Sequence, residues 1–329
     1  MLRIAPRQRS RVNSSMKAVA LGGGHGLAAS LKAIKTLTSS LTAIVGVSDN
    51  GGSSGRLRAE FDVIPPGDLR MALTALCSDS EHGKKWAAVL QHRFSGEGQL
   101  SGHSLGNLLI TALWQENDNI VAGLDAVCDL LEAQGRVLPL SLQPLDIVAD
   151  VLHEDGAIAT VYGQVAVATA KGVIQELRFE KQTETCPEAL AAIAQADVVV
   201  MGPGSWYTSV VNHLLLPDLN TALINCDAKK ILITNLCNQT DETKSFTPAT
   251  HIEVLKSMSP HLHFDAVVVD ESNVSDEFLN SCAKISHRVL IAKVADSKNP
   301  DIHDSTQLAK VLSQYLELPN SNSSRNKEG

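Results

Sequence analysis

The stretch that most constrains the fold is KAVALGGGHGLAASLKAIKTLTSSLTAIVGV, which runs from Lys17 to Val47. It begins with a short apolar run, Lys17–Leu21, and ends with another, Leu41–Val47, and both have the length and composition of buried strands. Between them a glycine turn leads into a helical pattern of leucine and isoleucine residues. A strand followed by a glycine turn, a helix and a second strand is typical of a parallel α/β sheet.

The rest of the chain continues this pattern with one interruption. Further strands are predicted over 197–201, 230–234, 266–269 and 289–292, and helices over 69–76, 86–92, 105–114, 120–131, 187–195 and 305–316. From Val137 to Glu180, β-branched residues and isolated glycines predict antiparallel strands instead, such as Ile158–Tyr162 and Val173–Phe179. We therefore predict an α/β fold, a Rossmann-like, doubly wound and mostly parallel sheet with an inserted antiparallel β segment and extra helices.

Composition sets the domain boundaries that we predict. Residues 1–15 carry four arginines and no apolar segment, which predicts a disordered basic arm and no secretory signal. Residues 16–318 form a single α/β domain, with the β insertion over 137–180. The polar residues 319–329 are predicted to be a disordered tail. Met16 is an alternative start to Met1, because it stands directly before the first strand.

Charge and cysteine content exclude several classes of protein. The formal net charge of −8 argues against nucleic-acid binding as the main activity. No apolar run reaches the length of a membrane span. The six cysteines show no C-x-x-C spacing, which is typical of reduced thiols in the cytoplasm rather than of a disulfide framework or a zinc site.

Two glycine turns follow apolar strands and are candidate anion sites. Gly22–Gly26 stands where a strand passes into a helix, and glycines there expose backbone N–H groups to a phosphate. Gly24-x-Gly26-x-x-Ala29 also matches the dinucleotide fingerprint, with Asp49 at the position of a ribose-binding acid. Met201–Ser209 repeats the arrangement and adds hydroxyl donors. Each turn alone is also explained by tight packing or helix capping, but two in one sheet favour a shared ligand crevice.

The segment Ser48–Arg58, SDNGGSSGRLR, is interpreted as a flexible loop that wraps a ligand. Its glycines allow close approach, its serines can donate hydrogen bonds, and Arg56 and Arg58 can meet phosphate oxygens bidentately. The alternative is a surface loop with solvated arginines.

Two further segments precede helices. In Ile64–Arg70 (IPPGDLR), Asp68 can cap the helix that follows, and we favour that role over ligand contact. In Ser101–Asn107 (SGHSLGN), His103 and Ser104 can contact phosphate or exchange protons, and we interpret His103 as a binding residue rather than a catalytic one.

Seven motifs in order resemble the gluconeogenesis factor family, which is related to 2-phospho-lactate transferase. They are GGGHGL, SDNGGSSGRLR, PPGDLR, GHSLGN, GRVLPLS, GPGSWYTS and NLCNQTDET, and the resemblance extends from Met16 to about Leu316. It implies a Rossmann-like fold, a cytoplasmic bacterial protein, a UDP-sugar ligand and a role in cell shape and cell-wall (peptidoglycan) synthesis during gluconeogenic growth. No catalysed reaction is established for the family. We expect a homodimer by default, with cell-wall synthesis proteins as candidate partners.

The residues and the resemblance together predict a nucleotide- and phosphate-binding site, without identifying catalytic residues. Its members are Gly22, Gly23, Gly24, His25, Gly26, Asp49, Asn50, Gly51, Gly52, Ser53, Ser54, Arg56, Asp68, Arg70, His103, Ser104, Asn107, Gly202, Gly204, Ser205, Tyr207, Thr208 and Asn235.

This chain departs from the family pattern at several positions. It has His25 where the family has Thr, Asn50 where it has Asp, Trp206 where it has Leu, and Thr240-Asp241 where it has Pro-Gly. Losing the second acid beside Asp49 removes a carboxylate that Mg²⁺ prefers. Asp49 remains the one candidate metal ligand, and Mg²⁺ the one candidate cofactor.

Three functions are consistent with these sequence features. The leading hypothesis is a regulator that binds nucleotide sugars. The alternative is a Mg²⁺-dependent transferase of a phosphate-bearing group, which needs Asp49 to hold the metal ion, with Asp68 as an optional second ligand. An NAD-dependent dehydrogenase ranks third, because it leaves the segment after Asp49 unexplained.

Overall fold

The computed structural model describes residues 15–117, 119–236, 243 and 246–317. Most of the predicted basic arm, the predicted tail and the departure at Thr240-Asp241 lie outside the described residues.

Ten β-strands are present among the described residues. They are β1 (Lys17–Gly22), β2 (Ser40–Val45), β3 (Arg136–Pro139), β4 (Ile147–Leu152), β5 (Ile158–Tyr162), β6 (Val173–Phe179), β7 (Val198–Met201), β8 (Lys229–Ile233), β9 (Ala266–Asp270) and β10 (Val289–Ala292).

Twelve α-helices accompany them in the same part of the chain. They are α1 (Gly24–Ile34), α2 (Gly52–Phe61), α3 (Gly67–Leu76), α4 (Glu81–Gln91), α5 (Leu105–Glu116), α6 (Ile120–Leu130), α7 (Gln164–Ala168), α8 (Pro187–Ala194), α9 (Pro217–Asn225), α10 (Pro248–Met258), α11 (Asp276–Cys282) and α12 (Ser305–Glu317). None of these helices has both the length and the apolar character that a bilayer crossing requires.

Seven strands form a parallel sheet in the order β10-β9-β8-β7-β1-β2-β3. The chain runs outward from β1 through β2 to β3 and then returns to β7 on the other side of β1. This reversal makes the carboxyl ends of β1 and β7 a topological switch point, where open α/β sheets bind their ligands.

The sheet forms because its inner strands are apolar along their whole length. All four residues of β7 and all five of β9 are buried, including the carboxylate-bearing Asp270. Such strands need helices on both faces of the sheet. The fold class predicted from the sequence is confirmed.

The remaining strands form a separate antiparallel sheet, in the order β5-β4-β6. The predicted strands Ile158–Tyr162 and Val173–Phe179 coincide with β5 and β6. The predicted insertion begins too early, however, because β3 pairs in parallel with β2, Thr42 opposite Arg136. The antiparallel sheet therefore starts at Ile147 rather than at Val137.

The segment interpreted as a flexible loop is largely helical. After the extended residue Gly51, α2 starts at Gly52 and buries Ser53, Ser54 and Leu57. Its high content of glycine and serine hid the helix, since these residues have low helix propensity in isolation. The error matters for the site, because the GGSS sequence is a helix N-terminus.

Candidate functional site

Three chain turns meet at the carboxyl ends of β1, β2 and β7. The backbone ties them together directly: the Gly46 N–H donates to the Gly22 carbonyl at 3.1 Å, and the Gly202 N–H donates to the Leu21 carbonyl at 3.2 Å. The turns after these strands lead into α1, α2 and a π-helical turn over Trp206–Val210. We call the space between them the crevice.

Contact between the first and third turns requires glycine. A Cβ atom at Gly26 would collide with the carbonyl of Pro203 and lie 2.8 Å from the Gly204 nitrogen. Gly24 and Gly202 have φ of +59° and +74°, a region that favours glycine. The Gly202–Pro203 peptide bond is cis. These glycines let two backbones approach to a distance that side chains would prevent.

Asp68 closes the floor of the crevice instead of capping its own helix. The N-cap of α3 is Pro66, without a side-chain cap, so the capping role predicted for Asp68 is wrong. The Asp68 carboxylate instead accepts a hydrogen bond from the backbone N–H of Gly24. It also lies against Gly23, whose missing Cβ would collide with it and would be 3.2 Å from Ser209 Oγ.

Burial, followed by the negative charge of Asp49, raises the pKa of Asp68 to about 7. The Gly24 N–H and the Arg70 guanidinium act in the opposite direction but do not cancel these effects. Asp68 therefore exchanges its proton near neutral pH, which makes it the residue of the crevice best suited to acid–base chemistry.

The N-termini of α2 and α3 also meet. Asp49 Oδ1 accepts from the Gly51 N–H at 2.9 Å. A Cβ atom at Gly67 would collide with Ser54 Oγ and lie 3.2 Å from Asp49 Oδ2. Two carboxylates, those of Asp49 and Asp68, thus stand beside the N-termini of three helices.

Asn50 contacts the segment that joins β5 to β6 and carries α7. Its Oδ1 accepts from the Val165 N–H at 3.1 Å, at the start of α7. A Cβ atom at Gly163 would collide with Asn50 Nδ2, and one at Gly51 would lie 3.2 Å from Val165 Cγ2. Asn50 was predicted to be a ligand residue, and its side chain here fixes α7 beside the crevice.

A buried polar network supports the N-terminus of α2. Ser53 Oγ accepts from the Ser104 N–H at 3.3 Å and from Asn107 Nδ2 at 3.1 Å, and it lies 3.0 Å from His103 Nδ1. Because two donors occupy its lone pairs, the Ser53 hydroxyl donates to Nδ1. His103 is then neutral, with its proton on Nε2. Burial, followed by the charge of Arg56, lowers the pKa of His103, which favours the same neutral form.

The side chains of this network are occupied by one another. Arg70 Nε donates to Asn107 Oδ1 at 2.9 Å, and Arg70 also bonds to Gln91. The Ser104 hydroxyl donates to the Leu90 carbonyl at 2.8 Å. Three predicted ligand residues, Arg70, Ser104 and Asn107, therefore lie behind the crevice and hold its wall.

The two arginines of α2 bond to protein groups. Arg56 donates to the carbonyls of Gln99 and Ser101, at 3.1 and 2.9 Å, and so fastens the loop that carries His103. Arg58 forms an ion pair with Asp146 at 2.6 Å, which directs it away from a phosphate role. Arg56 is exposed and keeps further N–H groups for a ligand.

The third turn is shaped by Asn235. Its side chain accepts from the Gly204 N–H at 3.0 Å and donates to the Gly204 carbonyl at 2.8 Å. Tyr207 and Thr208 are buried, and Thr208 Oγ1 has no hydrogen-bond partner in the described part of the chain. Ser205 is half-buried at the start of the π-helical turn, and His25 is exposed on α1.

Two serines outside the predicted site residues also shape the crevice: Ser209, which the sequence already offered as a hydroxyl donor of the third turn, and Ser48, which sequence reasoning missed. Ser209 Oγ faces Gly23, and the Ser48 hydroxyl lies 3.4 Å from the Thr208 carbonyl. Both serines stand inside motifs that were singled out, so their position beyond a strand end was the available signal.

Comparison with known proteins gives the chain its family. The profile of the family described as 2-phospho-L-lactate transferase CofD matches residues 18–314. A Mycobacterium tuberculosis protein, provisionally named a gluconeogenesis factor, is 44% identical over 302 residues, which cover 89% of this chain and 88% of that protein. The gluconeogenesis factor of Listeria innocua is 38% identical over 274 residues, 82% of this chain and 83% of that protein.

A solved structure agrees with this relationship. The crystal structure of a UPF0052 family protein from Bacillus halodurans superposes with a TM-score of 0.80 at 32% identity, and the match covers 90% of this chain and 99% of that one. The chain belongs to the gluconeogenesis factor family, within the larger group that the 2-phospho-L-lactate transferase CofD profile describes.

Proposed function

We propose that this member of the gluconeogenesis factor family is a cytoplasmic protein that binds a UDP-sugar in the crevice and acts as a regulator. The observation that carries the proposal is the convergence of the turns after β1, β2 and β7 at the switch point of the sheet. Ligands of open α/β sheets bind at such points.

Backbone amides supply the donors for a diphosphate. The first N–H groups of a helix have no partner within the helix, and neither Gly23 nor Gly51 caps its helix with a side chain. The N-termini of α1 and α2 therefore direct partial positive charge to the same space, together with their N–H groups other than those of Gly24 and Gly51, which Asp68 and Asp49 occupy.

The carboxylates of Asp49 and Asp68 oppose an incoming anion unless their charge is reduced. Because the pKa of Asp68 is about 7, a proton removes one negative charge at neutral pH. We infer that the ligand binds more tightly as the pH falls from 8 to 6.

Titration calorimetry with UDP-N-acetylglucosamine tests the proposal, with Gly52→Asp as the probe variant. The space around Gly52 is open, and its φ of +49° is one that aspartate tolerates. The added carboxylate favours the start of α2 but repels a phosphate, so the affinity should fall by about tenfold or more. Gly156→Asp is the matched control, since Gly156 also has positive φ and open surroundings, in the turn between β4 and β5. Absence of binding heat with the parent at millimolar ligand would overturn the proposal.

A second candidate, a Mg²⁺-dependent transferase, is favoured by the proximity of Asp49 and Asp68. Two carboxylates beside serine hydroxyls fit a cation that proteins hold through one or two carboxylates and the substrate's phosphates. The cation would neutralise the charge that develops on a transferred group. Metal-dependent release of a nucleoside diphosphate across a nucleotide panel supports this candidate, and its absence favours the regulator.

For the cellular role we propose cell morphogenesis and cell-wall synthesis during growth on gluconeogenic carbon sources, with cell-wall synthesis proteins as partners. A strain that lacks this protein should lose its normal shape on such carbon sources. The parent chain and Gly156→Asp should restore the shape, whereas Gly52→Asp should not. Equal rescue by all three would separate the cellular role from ligand binding.

A further inference from the structure

A cavity of about 750 Å³ lies where α1, α3, α4 and α12 meet. Both α1 and α3 begin in the crevice, at Gly24 and Gly67, and both end at this cavity. The 11 residues of α1 span about 16 Å at 1.5 Å per residue. The cavity is therefore separate from the crevice, at the other end of the same two helices.

Positive charge and hydroxyl groups line this cavity. Its acidic residues are Asp79 and Glu317, against four lysines from three helices and their ends: Lys32, Lys35, Lys84 and Lys310. Hydroxyl groups line it as well, those of Thr36, Thr74, Ser78, Ser305, Thr306 and Ser313. Three of them already donate to protein acceptors: Thr36 to the Ala33 carbonyl, Thr74 to the Arg70 carbonyl and Ser313 to Glu317. We call this cavity the lysine groove.

The side chain of Lys35 is held in place at the base of the lysine groove by protein contacts, without a ligand. It is 7% exposed, and Nζ donates to the Cys77 carbonyl at 2.9 Å and to Asp79 Oδ1 at 3.1 Å. An ammonium group has three N–H donors, so one remains. The partner Asp79 is 85% exposed, and an incoming anion can replace it on Lys35 at little cost.

Helix dipoles explain only part of this charge. Lys32 and Lys35 stand at the carboxyl end of α1, where positive charge is favourable. Lys84 stands in the first turn of α4, where positive charge is unfavourable, and it forms an exposed ion pair with Glu81 at 3.0 Å. Lys310 lies within α12 and donates to Gln307 Oε1 at 3.4 Å. Lys32 has no ion-pair or hydrogen-bond partner for its ammonium group among the described residues.

We propose that the lysine groove is a second ligand site, which binds a small metabolite carrying several phosphate or carboxylate groups. The volume lies within the range of small-molecule sites, about 300–1,000 Å³. The lysine groove concentrates positive charge on a chain whose net charge is −8. It therefore attracts a small anion locally, whereas the protein as a whole does not attract anions to its surface.

Hydrogen-exchange mass spectrometry on the full chain tests the proposal, because it resolves the lysine groove from the crevice. Inorganic pyrophosphate and citrate at millimolar concentration are the probes, one for phosphate and one for carboxylate chemistry. We expect at least one of them to slow amide exchange over 32–36, 74–84 and 305–314. The double variant Lys32→Ala/Lys310→Ala should weaken this protection by about tenfold or more in apparent affinity, because two charge-assisted contacts are lost.

The control is Lys171→Ala/Lys181→Ala, which removes two exposed lysines outside the lysine groove and changes the net charge equally. It should retain the protection of the parent. The proposal is overturned if neither probe protects these segments, or if the two double variants behave alike. Protection by polyglutamate alone would also overturn it, in favour of an acidic protein partner.

Discussion

At the scale of single residues, the protonation state of Asp68 affects both the stability of the fold and the proposed binding of an anionic ligand. Its carboxyl group is enclosed between the glycine turn and Asp49, so ionisation is costly in the folded protein. In the unfolded chain the group ionises at its ordinary pKa of 3.8. The folded state therefore holds a proton that the unfolded state has already released between about pH 4 and pH 7.

Replacing Asp68 with Asn should stabilise the protein at high pH. The raised pKa means that the parent loses stability as the pH rises from about 4 through 7, and Asn has no proton to lose. We expect Asp68→Asn to increase the free energy of unfolding by about 2 kcal/mol more at pH 8 than at pH 5, from about 1.4 kcal/mol per pKa unit. Urea unfolding at the two pH values measures this difference.

The exposed Asp301 supplies the control for that experiment. Asp301→Asn makes the same chemical change without removing a buried charge and should show the same small effect at both pH values. An Asp68→Asn variant that gains nothing at pH 8 would show that the carboxyl is solvated.

Arg56→Ala should weaken UDP-sugar binding by about 1–3 kcal/mol, the loss expected for charge-assisted hydrogen bonds, with little effect on folding. Calorimetry measures the change. Arg93→Ala is the control, because Arg93 donates to the Gly102 carbonyl of the same loop, at 2.9 Å. Equal losses in the two variants would mean that Arg56 acts by holding the loop and does not touch the ligand.

The sequence predicted which residues lie near the crevice, but it did not predict what their side chains contact. Asp49 and the glycines follow strand ends, and parallel strands bring such positions to one edge of the sheet. It did not reveal that Asn107 joins Arg70 to Ser53, since that contact depends on how α2, α3 and α5 pack. Motif membership alone does not separate a ligand contact from a supporting one.

At the scale of elements, hydrophobic periodicity predicted the parts of the fold with buried stripes. β1 and β10 were found from apolar runs, and α3 from its leucines. α2 was missed because only Leu57 among its apolar residues is fully buried. β3 was assigned to the insertion because its pairing with β2 is set by a crossover of five helices, which a local pattern does not record.

Gly26→Ala tests how closely α1 packs on the third turn. Alanine in a helix normally gains up to about 1 kcal/mol over glycine. Here the added Cβ would collide with the Pro203 carbonyl, which is backbone and cannot rotate away. We expect a net loss of about 1–3 kcal/mol in the free energy of unfolding, measured with urea.

The matched variant is Gly98→Ala, since nothing lies within 4 Å of the Cβ that it adds. Its stability should stay within about 0.5 kcal/mol of the parent. A stable Gly26→Ala variant would mean that the first and third turns are further apart than described. These two turns would then not form the walls of one crevice.

At the scale of the whole molecule, the two sheets differ in how much of their surface is covered. β1 lies in the middle of the parallel sheet, paired on both sides, and all but its first residue is buried. β5 and β6 are the edges of the antiparallel sheet, and they expose Ile158, Tyr162 and Val173. Local opening free energy follows buried contacts, so the antiparallel sheet should open without the parallel one.

Native-state hydrogen exchange should therefore divide the molecule in two. We expect amides of β5 and β6 to exchange about a hundredfold faster than those of β1 and β7, because their opening leaves the larger core intact. Adding UDP-N-acetylglucosamine should reduce this difference in exchange rate. Asn50 joins the start of α7 to the crevice, so a ligand that orders the crevice should also order α7 and the strands beside it. Equal protection of both sheets in the free protein would contradict the division. An unchanged difference in exchange rate under saturating ligand would show that ligand binding does not affect the antiparallel sheet. Asn50 would then have a structural role only.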